Sequence, residues 1–179
     1  MNIIKEDETL YKEPYIFNIA RFMDEKRFEK IKSFAKDIPT PCLIVDLEIV
    51  RNKYLELQAS MPDYKIYYAV KANPMQEVIM LLNELGANFD LASPYELDQL
   101  LHLGIEPARL SFGNTIKKVS DIKYFYDRGV RFFTTDSKLD LNNLAKYAPG
   151  SKVLFRILTE GTGADWPLSR KFGSHPDTI

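Results

Sequence analysis

One lysine stands where a predicted buried strand gives way to a helix. Residues 66–70 are apolar and favour β-structure, and Lys71 follows where the strand should end. Asn73 is a candidate cap for the next helix, with Pro74 at its first position. A lysine at the carboxyl end of a buried parallel strand can form an imine with a carbonyl compound. It can also merely reach solvent, and this stretch alone leaves both interpretations open.

Other polar residues end or follow the remaining predicted strands, namely Asp90, Gly113, Asn114, Thr135, Asp136 and Arg156. A lysine, an acid and an arginine at the end of the sheet where its strands stop, here called the mouth, would suit an anionic, carbonyl-bearing compound. Desolvation at such a mouth would lower the proton affinity of Lys71. Arg156 interrupts an apolar strand and needs an anionic partner. Loop, turn or capping roles are enough to explain Asn114, Asp136 and Glu96, and Asp90 is evenly balanced between a chemical and a loop role.

The apolar segments recur at a regular spacing. They begin near residues 66, 88, 109, 131 and 152, so their starts lie 21 or 22 residues apart. Helical patterns fill the gaps, and a glycine follows each of four helices as a C-cap would: Gly86, Gly104, Gly129 and Gly150. This alternation predicts right-handed βαβ units and a parallel sheet.

Two parallel architectures compete for this pattern. An open doubly wound sheet often carries a glycine-rich phosphate turn, and no G-x-G-x-x-G is present. The short, even units favour a (β/α)₈ TIM-type barrel. Only about five of its eight strands precede Ile179, and five strands would leave open edges, so the chain is expected to be a partial barrel.

Composition limits the remaining possibilities. The 179 residues are 45% hydrophobic and 27% charged, as in ordinary globular proteins. A net charge of −1 gives no argument for a nucleic-acid or membrane partner. No transmembrane or secretory pattern is present, and Cys42 is the only cysteine, predicted as a core thiol in a strand over 42–45. The two histidines, His102 and His175, lack metal-ligand spacing, so no metal site is predicted. A cytoplasmic protein is the expectation.

Four ordered segments resemble the fold-type III pyridoxal-phosphate-dependent decarboxylases, the family of ornithine and related basic amino-acid decarboxylases. They are YAVKAN at 68–73, FDLAS at 89–93 with Glu96, SFGNT at 111–115 and RKFG at 170–173. The stretch ADWPLSRKFG at 164–173 looks most like bacterial lysine/ornithine decarboxylases. The resemblance covers residues 40–173 and implies an alanine-racemase-like barrel.

The resemblance also implies roles for individual residues. Lys71 would bind pyridoxal 5'-phosphate as an imine. Asp90 and Glu96 match acidic positions that organise this lysine, Arg156 matches an arginine lining the cofactor site, and Lys171 matches a lysine that reaches the partner subunit of a homodimer. The implied reaction removes carbon dioxide from ornithine and/or lysine to give a diamine, within polyamine biosynthesis.

Several parts of the family pattern are not found in these residues. They are the ring-stacking histidine, the glycine-rich phosphate loop, the acid that pairs with the pyridine nitrogen, and the active-site aspartate and cysteine of the partner subunit. The expectation is therefore an N-terminal arm and helix over 1–38 and the N-terminal part of the barrel over 39–179. The rest of the barrel and a C-terminal β domain are absent, so the isolated chain should be inactive. The alternatives are a non-catalytic half-barrel, or another fold-type III enzyme such as diaminopimelate decarboxylase.

Overall fold

The computed structural model describes residues 23–159, 161, 163, 165 and 173–178. The chain divides into two compact units, Met1–Val45 and Asp46–Ile179. The predicted domain boundary between residues 38 and 39 stays a prediction. Within the described residues, no helix is both long enough and apolar enough to cross a membrane.

The first unit contains one described helix, α1 (Glu25–Ala35), which Asp24 caps by accepting a hydrogen bond from the Arg27 amide at 2.9 Å. None of its side chains is buried, and even the large apolar Phe34 is 68% exposed. The predicted strand over 42–45 is wrong, because these residues pair with no strand in the described part of the chain, and Cys42 is exposed instead of lying in a core. A short apolar run forms a strand only where another strand accepts its backbone hydrogen bonds.

The second unit alternates helices and strands as predicted. In chain order it contains α2 (Leu47–Ser60), β1 (Tyr67–Ala69), a 3₁₀ turn (Val70–Ala72), α3 (Gln76–Glu84), β2 (Asn88–Leu91), α4 (Pro94–His102), a 3₁₀ turn (Pro107–Arg109), β3 (Leu110–Phe112), α5 (Val119–Asp127), β4 (Phe132–Thr135), α6 (Lys138–Tyr147), β5 (Lys152–Phe155) and a 3₁₀ turn (Pro176–Thr178). The four predicted C-cap glycines have φ values between 73° and 89°, which confirms those caps.

The order of the strands distinguishes the two competing architectures. The sheet is parallel, with neighbours in the order β1-β2-β3-β4-β5. A doubly wound sheet reverses its order at a switch point, whereas an order that never reverses puts right-handed crossovers on one face. The described strands therefore form part of a barrel wall.

A ring contact shows that this wall is curved. The rings of Tyr67 on β1 and Phe132 on β4 lie 5.5 Å apart, edge to face. In a flat sheet these strands would be separated by three spacings, about 14 Å. The contact places both rings inside the curve, and the opposite face carries the core.

That core lies between the sheet and the helices. Leu91, Phe112 and Phe133 are aligned across three strands, and each is 1% exposed or less. Phe112 stacks on Phe125 of α5 with ring centroids 3.9 Å apart. Alternation along each strand then turns Tyr67, Asp90 and Ser111 towards the interior of the barrel.

Candidate active site

Lys71 lies in the turn that follows β1. The strand ends at Ala69, so Lys71 stands in the 3₁₀ turn and not at the predicted strand end. Tyr68 Oη donates to the Asn73 carbonyl oxygen at 3.1 Å, and the Met75 amide donates to Asn73 Oδ1 at 3.0 Å. Helix α3 begins only at Gln76, two residues later than Pro74, because Asn73 forms a local turn instead of capping the helix directly.

The side chain of Lys71 is exposed within the described part of the chain. The predicted desolvation of this lysine is therefore not supplied by these residues. Lys71 lies at the carboxyl end of the sheet, which is where barrel proteins bind their ligands.

Asp90 is an acid whose charge interacts with that of Lys71. It lies on β2, in register with Ala69 of β1 and Ser111 of β3. Burial raises the pKa of the Asp90 carboxyl, while the Ser111 hydrogen bond and the positive charges of Lys71 and Arg156 pull that pKa down. The structure thus brings together three of the sequence-predicted site residues: Lys71, Asp90 and Arg156.

Arg156 follows β5 and does not lie within that strand, which ends at Phe155. Its amide donates to the Thr135 carbonyl oxygen at 2.8 Å, and its own carbonyl oxygen accepts from the Ser174 amide at 3.1 Å. Asp136 accepts from the Gly173 amide at 3.1 Å, and its carbonyl oxygen accepts from the Ser174 hydroxyl. Asp136 therefore holds the backbone at residues 173–174, a contact that spans 37 residues of sequence. Lys171 lies outside the described residues.

Glu96 performs a capping role in the structure. Its Oε2 atom accepts from the Ala92 amide at 2.5 Å, and its own amide donates to Ser93 Oγ at 3.3 Å. Asn114 links the same loop to the next one by donating to the Ala92 carbonyl oxygen at 2.6 Å. Both side chains stabilise the loop after β2, as their positions in sequence allow.

A second lysine at this mouth was not identified from sequence. The Lys117 side chain is 0% exposed, and its ammonium donates to Asp140 Oδ2 at 2.6 Å. It also donates to the Asn114 carbonyl oxygen at 2.8 Å and the Thr134 carbonyl oxygen at 2.6 Å. Burial lowers the pKa of Lys117, and Asp140 opposes that effect. The available signal in the sequence is an acid, Asp140, in the first turn of α6.

The opposite end of the sheet contains a cavity of about 510 Å³, lined in part by Lys65, Arg131 and Lys152. These residues precede or begin strands, whereas barrel chemistry is located where strands end. The fold and the mouth together therefore define a (β/α)-barrel protein whose candidate site is Lys71 with Asp90 and Arg156.

Comparison with known proteins identifies the family of this domain. The family described as "Pyridoxal-dependent decarboxylase, pyridoxal binding domain" matches residues 47–178. The lysine/ornithine decarboxylase of Selenomonas ruminantium is 36% identical over 146 residues, which cover 82% of this chain and 37% of that protein. A relative named antizyme inhibitor 2, from Xenopus laevis, is 35% identical over 131 residues, covering 73% of this chain and 29% of the relative.

Solved structures match as well. Lysine decarboxylase from Selenomonas ruminantium gives a TM-score of 0.73 at 36% identity, covering 86% of this chain and 39% of that one. The structure of SrLDC in complex with PLP and cadaverine gives a TM-score of 0.71 at 36% identity, covering 85% of this chain and 37% of that one. The chain thus spans 37% or less of the curated relatives described above. This chain belongs to the pyridoxal-dependent decarboxylase family, matching its pyridoxal-binding domain.

Proposed function

We propose that the full-length protein is a pyridoxal-phosphate-dependent decarboxylase that converts a basic amino acid, ornithine and/or lysine, into the corresponding diamine. The substrate loses its α-carboxylate as carbon dioxide and gains one proton at the same carbon. The observation that carries the proposal is the meeting of the Lys71, Asp90 and Arg156 charges at the carboxyl end of the barrel strands. The names of the lysine/ornithine decarboxylase relative and of the cadaverine complex support the substrate class.

The residues at this mouth fit pyridoxal phosphate. Lys71 offers an exposed primary amine that can bind an aldehyde covalently, and Arg156 adds a positive charge on the same side. Gly113 carries no side chain where the loop after β3 passes the Asp90 carboxylate. The Thr115 hydroxyl in this loop is buried and has no hydrogen-bond partner among the described residues. When bound, pyridoxal phosphate supplies an electron sink for the carbon that loses its carboxylate.

The residues of the protein would supply and position the charges around the reacting groups. The Asp90 carboxylate interacts electrostatically with Lys71 and would stabilise positive charge at its amine. Arg156 provides a second positive charge, which favours the ionised form of Asp90. Glu96 acts indirectly, by accepting a hydrogen bond from the loop that follows Asp90.

Further aspects of the protein are proposed on the family resemblance. A homodimer would place Lys171 against the partner subunit, and the product would enter polyamine biosynthesis in the cytoplasm. The isolated 179 residues would be inactive.

Two measurements test the proposed function. The full-length protein is incubated with pyridoxal phosphate, reduced with borohydride and digested, and the labelled peptide is mapped. We expect the label on Lys71 and not on Lys65, which precedes the same strand at its opposite end and is also exposed. Carbon dioxide release is then measured with ornithine, lysine and diaminopimelate.

Each alternative has its own outcome in these experiments. Release from diaminopimelate alone would replace the proposed substrate class by the diaminopimelate decarboxylase reaction. No label on Lys71 and no release from any substrate would favour a non-catalytic protein, a result that a relative named antizyme inhibitor 2 makes worth testing. Label on Lys71 with release from ornithine or lysine is the expected result.

A further inference from the structure

Ser111 and Asp90 form a direct pair on neighbouring strands. The two residues are aligned in the β2–β3 register, and Ser111 Oγ donates to Asp90 Oδ1 at 2.7 Å. The other acceptor within reach of this hydroxyl, the Phe89 carbonyl oxygen, is farther away at 3.4 Å. Ser111 is 3% exposed, so water does not compete for its proton.

Gly113 lies against the same Asp90 carboxylate, in the loop that follows β3. A Cβ atom at this position would lie 2.1 Å from Asp90 Oδ1, 2.3 Å from Oδ2 and 2.5 Å from Cγ. Gly113 is not among the glycines with positive φ, so its backbone suits any residue. The reason for glycine here is therefore space, and the space is filled by the Asp90 carboxylate.

Positive charges meet Asp90 from two other elements. Lys71 acts on it from the turn after β1, and Arg156 acts on it from the segment after β5. Ser111 and Gly113 thus determine the position of the Asp90 carboxylate. The strength of its interaction with Lys71 and Arg156 depends on that position.

We propose that Ser111 and Gly113 are positioning residues for Asp90: the hydroxyl fixes the place of the carboxylate and favours its ionised form, and the absent side chain at Gly113 gives it room. The inference rests on the proposed function and deepens it by naming which residues position the acid whose charge interacts with that of the cofactor lysine. Since the Ser111 hydrogen bond lowers the Asp90 pKa against the effect of burial, its loss should let the carboxyl protonate at higher pH.

The first test follows kcat/KM against pH in the full-length enzyme. Ser111→Ala should move the acid limb to higher pH by about one unit. Ser111→Thr keeps the hydroxyl and should restore the wild-type limb. Ser151→Ala is the matched control, because it deletes a buried hydroxyl that has no partner among the described residues.

The second test does not require activity. Carboxyl ¹³C shifts are followed against pH in the cofactor-free protein, with Asp90→Asn used to assign the Asp90 signal. Ser111→Ala should raise the midpoint of that signal, and Ser111→Thr and Ser151→Ala should not. If the wild-type protein decarboxylates nothing, the proposed function fails, but this titration still decides the role of Ser111.

Gly113→Ala tests the steric part of the proposal. It should lower kcat by about 10-fold or more at every pH, because the carboxylate is displaced. Its melting temperature should stay near that of wild type if the carboxylate moves aside. Coincident acid limbs and midpoints for Ser111→Ala and wild type would overturn the role of Ser111. Unchanged kcat in a folded Gly113→Ala would overturn the role of Gly113.

Discussion

Lys71 and Lys117 are two lysines at one mouth with opposite surroundings. Each follows a strand end, β1 for Lys71 and β3 for Lys117. Lys117 is fully buried, and three acceptors take its three ammonium hydrogens. Lys71 is exposed, and its charge acts on Asp90. An amine whose hydrogens are all taken up by the fold holds structure, whereas an amine left open to solvent can react.

The largest expected effect concerns Lys71. Lys71→Met should lower decarboxylase activity by about 10³-fold or more, because it removes the amine that would bind the cofactor aldehyde. Stability should change by only about 0.5 kcal/mol, since the side chain is exposed. Activity assays and urea unfolding of the same preparation check both parts. Substantial residual activity would mean that another amine can replace Lys71.

Lys117→Met should show the reverse pattern. It leaves the Asp140 carboxylate buried without its cation, at an expected loss of about 3–5 kcal/mol in the free energy of unfolding. The matched control is Lys118→Met, one residue on and exposed, which should stay within about 0.5 kcal/mol of wild type. Equal unfolding midpoints for the two variants would show that the buried pair adds no stability.

The pH dependence of the free energy of unfolding separates the effect of the half-buried Asp90 from that of the buried Lys117 side chain. The Asp90 pKa is raised in the folded state, so folding is favoured below its ordinary unfolded value of 3.8, and that contribution is lost as pH rises through the folded pKa. Asp90→Asn should therefore flatten this acidic part of the stability curve and raise stability at neutral pH.

Lys117 acts at the other end of the pH scale. Its folded pKa is lowered, so stability should rise with pH between that lowered pKa and the ordinary value of 10.5. Lys117→Met should remove this alkaline rise. Urea midpoints across pH for both variants check the two slopes, and a slope that persists in its variant would assign it to another group.

The smallest expected effect concerns Glu96. Glu96→Ala removes the acceptor of the Ala92 amide and should cost about 1 kcal/mol in stability. Glu96→Gln retains an oxygen acceptor and should recover most of that loss. If Glu96→Gln lowers activity as strongly as Lys71→Met does, its charge acts in the chemistry and capping is not its main role.

Much of the fold was predictable because the spacing of apolar segments is almost constant. Local periodicity predicts the five strands and the glycine C-caps. It also predicts the end of the sheet at which Lys71, Asp90 and Arg156 lie. The Ser111–Asp90 hydrogen bond was not predictable, because it depends on the register between two strands. The Lys117–Asp140 pair joins residues 23 apart on different elements, which local patterns do not specify.

The errors in the first unit have a similar origin. Residues 42–45 have the composition of a strand, but a strand needs a partner, and none of the described residues pairs with them. The expected desolvation of Lys71 likewise depends on which other parts of the protein cover it. Side-chain burial and strand pairing depend on tertiary structure, so the sequence of a single segment does not specify them.

The contact between Tyr67 and Phe132 has a consequence for the order of folding. Paired strand residues such as Tyr67 and Asn88 lie about 21 residues apart, whereas this contact closes a loop of 65 residues. Loop closure costs more entropy for the longer span, so the local βαβ units should assemble before the sheet curves. Phe132→Ala should then speed unfolding while leaving the folding rate nearly unchanged, as stopped-flow chevron plots would show.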